Sequence, residues 1–176
     1  MTTDALIERA RRIRLLTLDV DGVLTDGRIY VDDRGGETKV FSALDGLGMK
    51  MAMQAGITVA WITGSRADVV THRARQLGIH HVMLGADQKL PVWERLRDKL
   101  GFAAEFCAHV GDDLPDVPLF MHCGLGIAVP NATATVAARA HHVTRARGGE
   151  GAVREVCELI LAAQGCLAAQ LAAFGA

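Results

Sequence analysis

Three things are missing from this 176-residue chain, and each absence closes off a class of function. The chain has no excess of either charge: 19 Lys and Arg against 20 Asp and Glu leave a net charge of −1. That is too weak a field to draw in nucleic acid. No close pair of cysteines occurs either. Cys107, Cys123, Cys157 and Cys166 form no C-x-x-C and sit in apolar segments, which predicts reduced core thiols, not disulfides or a zinc site, and hence a cytoplasmic setting. Finally, no apolar run approaches the roughly 20 residues of a membrane span. Residues 1–12, with Asp4, Glu8, Arg9, Arg11 and Arg12, lack the apolar core of a signal peptide, so the Asn131-Ala132-Thr133 sequon is predicted to be silent. With no repeat and no linker, and with half its residues hydrophobic, the chain predicts one well-buried domain over 1–176.

What the chain does contain is alternation. Residues 13–18 are apolar apart from Arg14 and Thr17, as a buried strand of a parallel sheet requires. Two carboxylates, Asp19 and Asp21, interrupt that run at its carboxyl end. A hairpin flap is predicted over 27–41, then a helix carrying Asp45 near its start and stopping before Gly56. Strands over 57–62, 81–84, 106–110, 125–129 and 142–144 alternate with helices over 67–77, 89–100, 117–122, 132–140 and 153–163. Repeated units of this kind predict an α/β fold, a Rossmann-like doubly wound parallel sheet with helices on both faces. Only 146–151, with its three glycines, reads as flexible before the last helix and an Ala-rich tail.

Four features fall past strand carboxyl ends, the edge where open α/β sheets bind ligands. They are Asp19 with Asp21, Thr63-Gly64, Lys89 somewhat further on, and Asp112, Asp113 and Asp116. Carboxylates gathered there repel one another unless a cation holds them, and hard oxygen donors suit Mg²⁺. With phosphate also bound, the cation offsets its charge and a carboxylate oxygen can attack phosphorus, as in aspartyl-phosphate chemistry. Thr63, the Gly64 backbone and the following helix start could hold phosphate oxygens, with Lys89 adding positive charge. Each part also has a plainer reading. A turn explains Asp21-Gly22, a solvated helix residue explains Lys89, caps explain Asp113 and Asp116, and an amphipathic surface helix explains Arg73. The occurrence of all four in order is what favours a site. The pairs His80-His81 and His141-His142 are adjacent, so in a strand they point to opposite faces and cannot share a metal.

The motif order resembles the haloacid-dehalogenase superfamily of phosphatases: D-x-D-G-x-[LV]-[ST] at 19–25, apolar-Thr-Gly at 62–64, Lys89, and G-D-D-x-x-D at 111–116. The resemblance implies Asp19 as nucleophile and metal ligand, Asp21 as general acid and base with its backbone carbonyl on Mg²⁺, and Asp112 as the third protein ligand. It places Thr63, Gly64 and Lys89 on the phosphate, with Asp113 and Asp116 in support. A narrower resemblance rests on the hairpin after Asp26-Gly27, on Asp45-Gly46-Leu47-Gly48 and on the run from Arg147 to Cys157. It is to the branch that dephosphorylates 3-deoxy-D-manno-octulosonate 8-phosphate in lipopolysaccharide precursor synthesis. This implies no separate cap domain, a homotetramer with paired hairpins, a Gly-rich segment over a neighbour's active site, and Asp45, Gly46, Lys50 and Arg73 as substrate-binding residues. Three positions depart from that branch: Ser42, Leu44 and Ser65 replace Asn or His, Arg, and Arg, with Arg66 one place along. They keep open a related sugar acid phosphate such as a nonulosonate 9-phosphate. A phosphoacceptor receiver domain would carry its acceptor Asp after the third strand, where this chain has Leu84-Gly85-Ala86. The expected partner is thus a small phosphorylated sugar acid, with neither nucleic acid nor membrane involved.

Overall fold

The computed structural model describes residues 2–175. Its centre is a six-stranded parallel sheet in the order β5 (His81–Met83), β4 (Thr58–Ile62), β1 (Leu15–Leu18), β6 (Cys107–Gly111), β7 (Leu125–Ala128) and β8 (His142–Val143). After β1 the chain builds outward through β4 and β5, then crosses back to add β6 on the other side of β1. That reversal puts the topological switch between β1 and β6, so Asp19 and Asp112 leave the sheet side by side at its ligand-binding edge.

The two-residue period of the strands divides the core between the two faces. Leu16, Leu18, Val59, Trp61, Ala108 and Val110 face α2 (Ala43–Gln54), α3 (Asp68–Leu77) and α7 (Ala152–Ala163). Leu15, Ala60, Ile62 and Cys107 face Trp93 and Leu96 of α4 (Lys89–Leu100) and Leu119 of α5 (Val117–His122). The two faces hold the strands in one register, and a one-residue slip would turn every one of these side chains to the wrong side. The hairpin forms as expected from β2 (Tyr30–Val31) and β3 (Glu37–Thr38), antiparallel and separate from the main sheet. Among the described residues, no helix is long and apolar enough to cross a membrane.

Three segments differ from the sequence expectation. Residues 3–12, read only as a charged stretch, form α1 (Thr3–Arg12), whose N-cap Thr2 accepts a hydrogen bond from the Ala5 amide. The helix expected over 132–140 shrinks to α6 (Ala134–Ala137). Its start is delayed by the tight turn from Val129 to Ala132, and its end decays into i to i−3 bonds at Arg139 and Ala140. The Ala-rich tail contains another helix, α8 (Leu167–Ala172).

The segment 146–151, expected to be flexible, is instead pinned. The Gly148 amide donates to the Asn131 side chain at 2.8 Å and the Gly149 amide to the Val23 carbonyl at 3.0 Å. A Cβ at Gly148 would fall on the backbone of Gly22. Glycine is required at 148 because two backbones touch there.

Candidate active site

The first acid leaves β1 at Asp19, and the chain turns sharply at Gly22, whose φ is +92°. Any side chain at Gly22 would also collide with the Asp112 carboxylate. Gly22 therefore allows both the turn and the close approach of β6 that brings the two acidic motifs together. Asn131 locks this corner: its amide donates to the Gly22 carbonyl at 2.7 Å while its oxygen takes the Gly148 amide. The sequon asparagine is thus spent on holding three loops together.

A cleft of about 470 Å³ opens at this edge, lined by Asp19, Asp21, Thr63, Gly64, Ser65, Asp87, Lys89, Asp112, Asp113 and Asp116 among others. All four motif groups converge there. Lys89, the first residue of α4, is almost fully buried and its Nζ lies 2.7 Å from Asp19 Oδ1 and 2.6 Å from Asp116 Oδ1. Burial works against its charge, but the two carboxylates outweigh that and hold its pKa above the ordinary lysine value. Asp19 is pushed well up, first by burial and then by the charge of Asp116, with Lys89 opposing. Thr63 accepts the Ser65 amide at 3.0 Å on its hydroxyl oxygen, leaving its hydroxyl proton for a ligand oxygen.

Asp116 is the keystone. Its Oδ1 takes Lys89 Nζ and, at 2.9 Å, His109 Nε2, while its Oδ2 accepts the amides of Asp112 at 3.1 Å and Asp113 at 3.3 Å. Burial again opposes its charge, yet the His109 hydrogen bond and the neighbouring positive charge hold the carboxyl down at about 2. His109 is fully buried on β6, its other ring nitrogen 2.9 Å from Thr17 Oγ1. Burial depresses its basicity against the pull of Asp116, and the ring bridges Asp116 to Thr17, whose hydroxyl donates to the Ala108 carbonyl at 2.9 Å. Asp113 caps the 3₁₀ turn Leu114–Asp116, accepting the Leu114 amide at 2.8 Å.

Oxygens of Asp19, Asp112 and Asp116 lie within 4.8 Å of one another. Asp116 has both oxygens committed to donors, so it orients the site and is a poor choice of metal ligand. Asp112 is the opposite: its Oδ1 is buried with no hydrogen-bond partner, and burial followed by the charge of Asp116 pushes its carboxyl up to about 6. An orphaned carboxylate oxygen beside Asp19 fits a hard divalent cation such as Mg²⁺. The sign of the pH effect follows. Between about pH 4 and 6 the folded metal-free protein binds more protons at Asp112 than the unfolded chain, so stability falls as pH rises through that window. Mg²⁺ competes with those protons and should raise the melting temperature at least about twice as much near pH 7.5 as near pH 5. Thermal melts with and without the ion check this; equal shifts at both pH values would contradict it.

The expected substrate-binding residues are not brought to this cleft. Asp45, buried at the start of α2, accepts the Arg154 amide at 2.8 Å and caps α7. The Arg73 guanidinium lies against Gly46 and Gln76, and Lys50 is exposed on α2. Of the departing positions, Ser42 caps α2, Ser65 lines the cleft with its hydroxyl oxygen accepting the Ala67 amide, and Arg66 pairs with Asp87 at 3.3 Å. His109, Asp87 and Asn131, together with Lys39, whose Nζ pairs with Asp21 at 2.5 Å, are the residues at the site that sequence reasoning missed. A lone polar residue inside the apolar run 107–110 was the available signal for His109.

Comparison with known proteins points to one family. A family model for haloacid dehalogenase-like hydrolases matches residues 67–156. The 3-deoxy-D-manno-octulosonate 8-phosphate phosphatase of Escherichia coli (strain K12) is 49% identical over 162 residues, 92% of this chain and 86% of that protein. A probable YrbI family phosphatase from Pseudomonas syringae pv. phaseolica 1448a superposes with a TM-score of 0.97 at 47% identity, covering 99% of both chains. The 3-deoxy-D-manno-octulosonate 8-phosphate phosphatase from Moraxella catarrhalis, solved with magnesium, phosphate and the KDO molecule, gives 0.96 at 44% identity, covering 98% of this chain and 99% of that one.

Proposed function

The chain belongs to the haloacid dehalogenase-like hydrolases, and from that membership we propose that it is a Mg²⁺-dependent phosphomonoesterase converting 3-deoxy-D-manno-octulosonate 8-phosphate to the free sugar acid and phosphate, a lipopolysaccharide precursor step. The observation that carries the reading is the Lys89 bridge between Asp19 and Asp116 beside the unpartnered oxygen of Asp112. It presents one carboxylate as a nucleophile and leaves another free for a cation.

Asp19 attacks phosphorus with its free carboxylate oxygen while Asp21 protonates the departing sugar oxygen, giving an aspartyl phosphate. Asp21 then takes a proton from water as that water attacks the phosphorus of phospho-Asp19, returning Asp19 as the carboxylate. Lys89 holds the other Asp19 oxygen, and its charge offsets repulsion between the acid and the incoming phosphate. Thr63 and the Gly64 backbone hold non-bridging oxygens. The carboxylates of Asp19 and Asp112 and the backbone carbonyl of Asp21 would hold Mg²⁺, which would supply further positive charge on the phosphate.

The reading extends to a single cytoplasmic domain with no cap and to a homotetramer. Ile29, Val31 and Val40 of the hairpin are more than 60% exposed, an apolar surface suited to pairing with copies of itself. Phosphate release from a panel of sugar phosphates at fixed Mg²⁺ tests the substrate assignment. The octulosonate 8-phosphate should lead, with a nonulosonate 9-phosphate as the arm addressing Ser42, Leu44 and Ser65. Strong preference for a sugar phosphate lacking a carboxylate would overturn it.

A further inference from the structure

We propose that Lys39 is a positioning residue for this reaction, fixing the Asp21 carboxylate from the hairpin so that one of its oxygens stays free for the leaving group. The inference rests on the assignment of Asp21 as general acid and base.

Lys39 is out of character for its surroundings. Residues 27–38 and Val40 are all exposed, yet the Lys39 side chain retains only 3% of its exposure. A lysine on a solvated hairpin normally keeps its ammonium in water. Here the chain turns inward after β3, and Nζ lies 2.5 Å from Asp21 Oδ1 and 2.5 Å from Glu37 Oε1. No second side chain pairs with the Asp21 carboxylate among the described residues. Asp21 sits in the Gly22 turn with its side chain one-third exposed and facing the cleft, so without Lys39 its rotamer is set by solvent alone.

The consequence is specific to the oxygen engaged. With Oδ1 held by the ammonium, Oδ2 is the oxygen left to approach the ester oxygen, and proton transfer needs that approach to be within hydrogen-bond reach. Glu37 takes a second ammonium proton, which orients Nζ and balances its charge. The hairpin thereby controls the group that moves the proton, although Lys39 does not line the cleft itself.

Departure of a leaving group that needs no proton should be indifferent to Lys39, whereas the later release of phosphate from Asp19 still needs Asp21. The test compares Lys39→Met with the wild-type protein on the sugar phosphate and on an aryl phosphate whose phenol departs as the anion. Positioning of an acid and base predicts kcat on the sugar phosphate down by about 10- to 100-fold with KM within about threefold, and on the aryl ester a single-turnover rate of phenolate release within about threefold of wild type. Lys39→Arg, which restores a donor and a charge, should recover the sugar phosphate rate to within about fivefold of wild type. Lys39→Gln enters the same comparison if the methionine variant fails to fold. An equal fall in the single-turnover rate of leaving-group release on both esters, or no loss of kcat on the sugar phosphate, would overturn the inference. A wild-type protein that hydrolyses neither ester sinks the phosphatase reading itself, and this inference with it.

Discussion

Asp19→Asn should lose phosphatase turnover by at least about a thousandfold while folding as well as the wild-type protein. An amide has no anionic oxygen to attack phosphorus, so the covalent step is removed and only binding and electrostatic contributions remain. Stability should move the other way from activity. Asp19 is a buried carboxylate whose pKa is raised first by burial and then by Asp116, so replacing it with a neutral isostere removes a costly charge. The substitution leaves Lys89 paired through Asp116 at 2.6 Å, so the cation is not stranded. Urea denaturation should show a change within about 1 kcal/mol or a small gain. Phosphate release measured alongside is decisive: more than about a tenth of wild-type activity would remove Asp19 as the nucleophile.

Lys89→Met should be the most destabilising single change at the site. The ammonium is the shared partner of two buried carboxylates, and its loss leaves Asp19, Asp112 and Asp116 facing one another with only His109 and backbone amides to compensate. Removing one partner of a buried charged cluster costs about 3–5 kcal/mol, because the remaining charge stays desolvated. Urea denaturation of the metal-free protein near pH 7 should register a loss in that range, and Mg²⁺ should restore part of it. A loss below about 1 kcal/mol would mean that Lys89 does not hold the acids together. Activity should also fall, since Asp19 would lose the group that fixes its orientation.

The two variants bear on residues that could be read directly from the sequence, and there is a physical reason for that. Asp19, Asp21, Thr63, Asp112 and Asp116 all follow apolar runs too short and too β-branched or aliphatic to be anything but buried strands, with Lys89 opening the helix beyond one of them, so parallel topology alone sends them to one edge. His109 was not legible because a polar residue inside a strand looks the same whether it meets a partner or a bulge. Only the register of β6 on β1, which sets Thr17 opposite His109, reveals its role. Lys39 was hidden by the hairpin pattern, in which an alternating polar residue ordinarily points to solvent. The capping role of Asp45 was hidden for a related reason. An acid in the first turn of a helix suits that helix's own dipole, but here it serves another helix, 109 residues along the chain. Long-range caps of this kind leave no local signature. The same holds for 146–151, where glycines that suggest mobility are instead the condition for backbone contact with Gly22.

In the proposed reaction phosphate passes through a covalent bond to Asp19, and Asp21 is needed to release it. Asp21→Asn mixed with an aryl phosphate in Mg²⁺ isolates that step, because the phenolate leaves unaided while hydrolysis of the aspartyl phosphate lacks its base. Acid quenching, followed by borohydride reduction of the acyl phosphate and peptide mass spectrometry, should find homoserine at position 19. Reduction at any other acid, or wild-type release of phosphate with position 19 unmodified, would contradict the account.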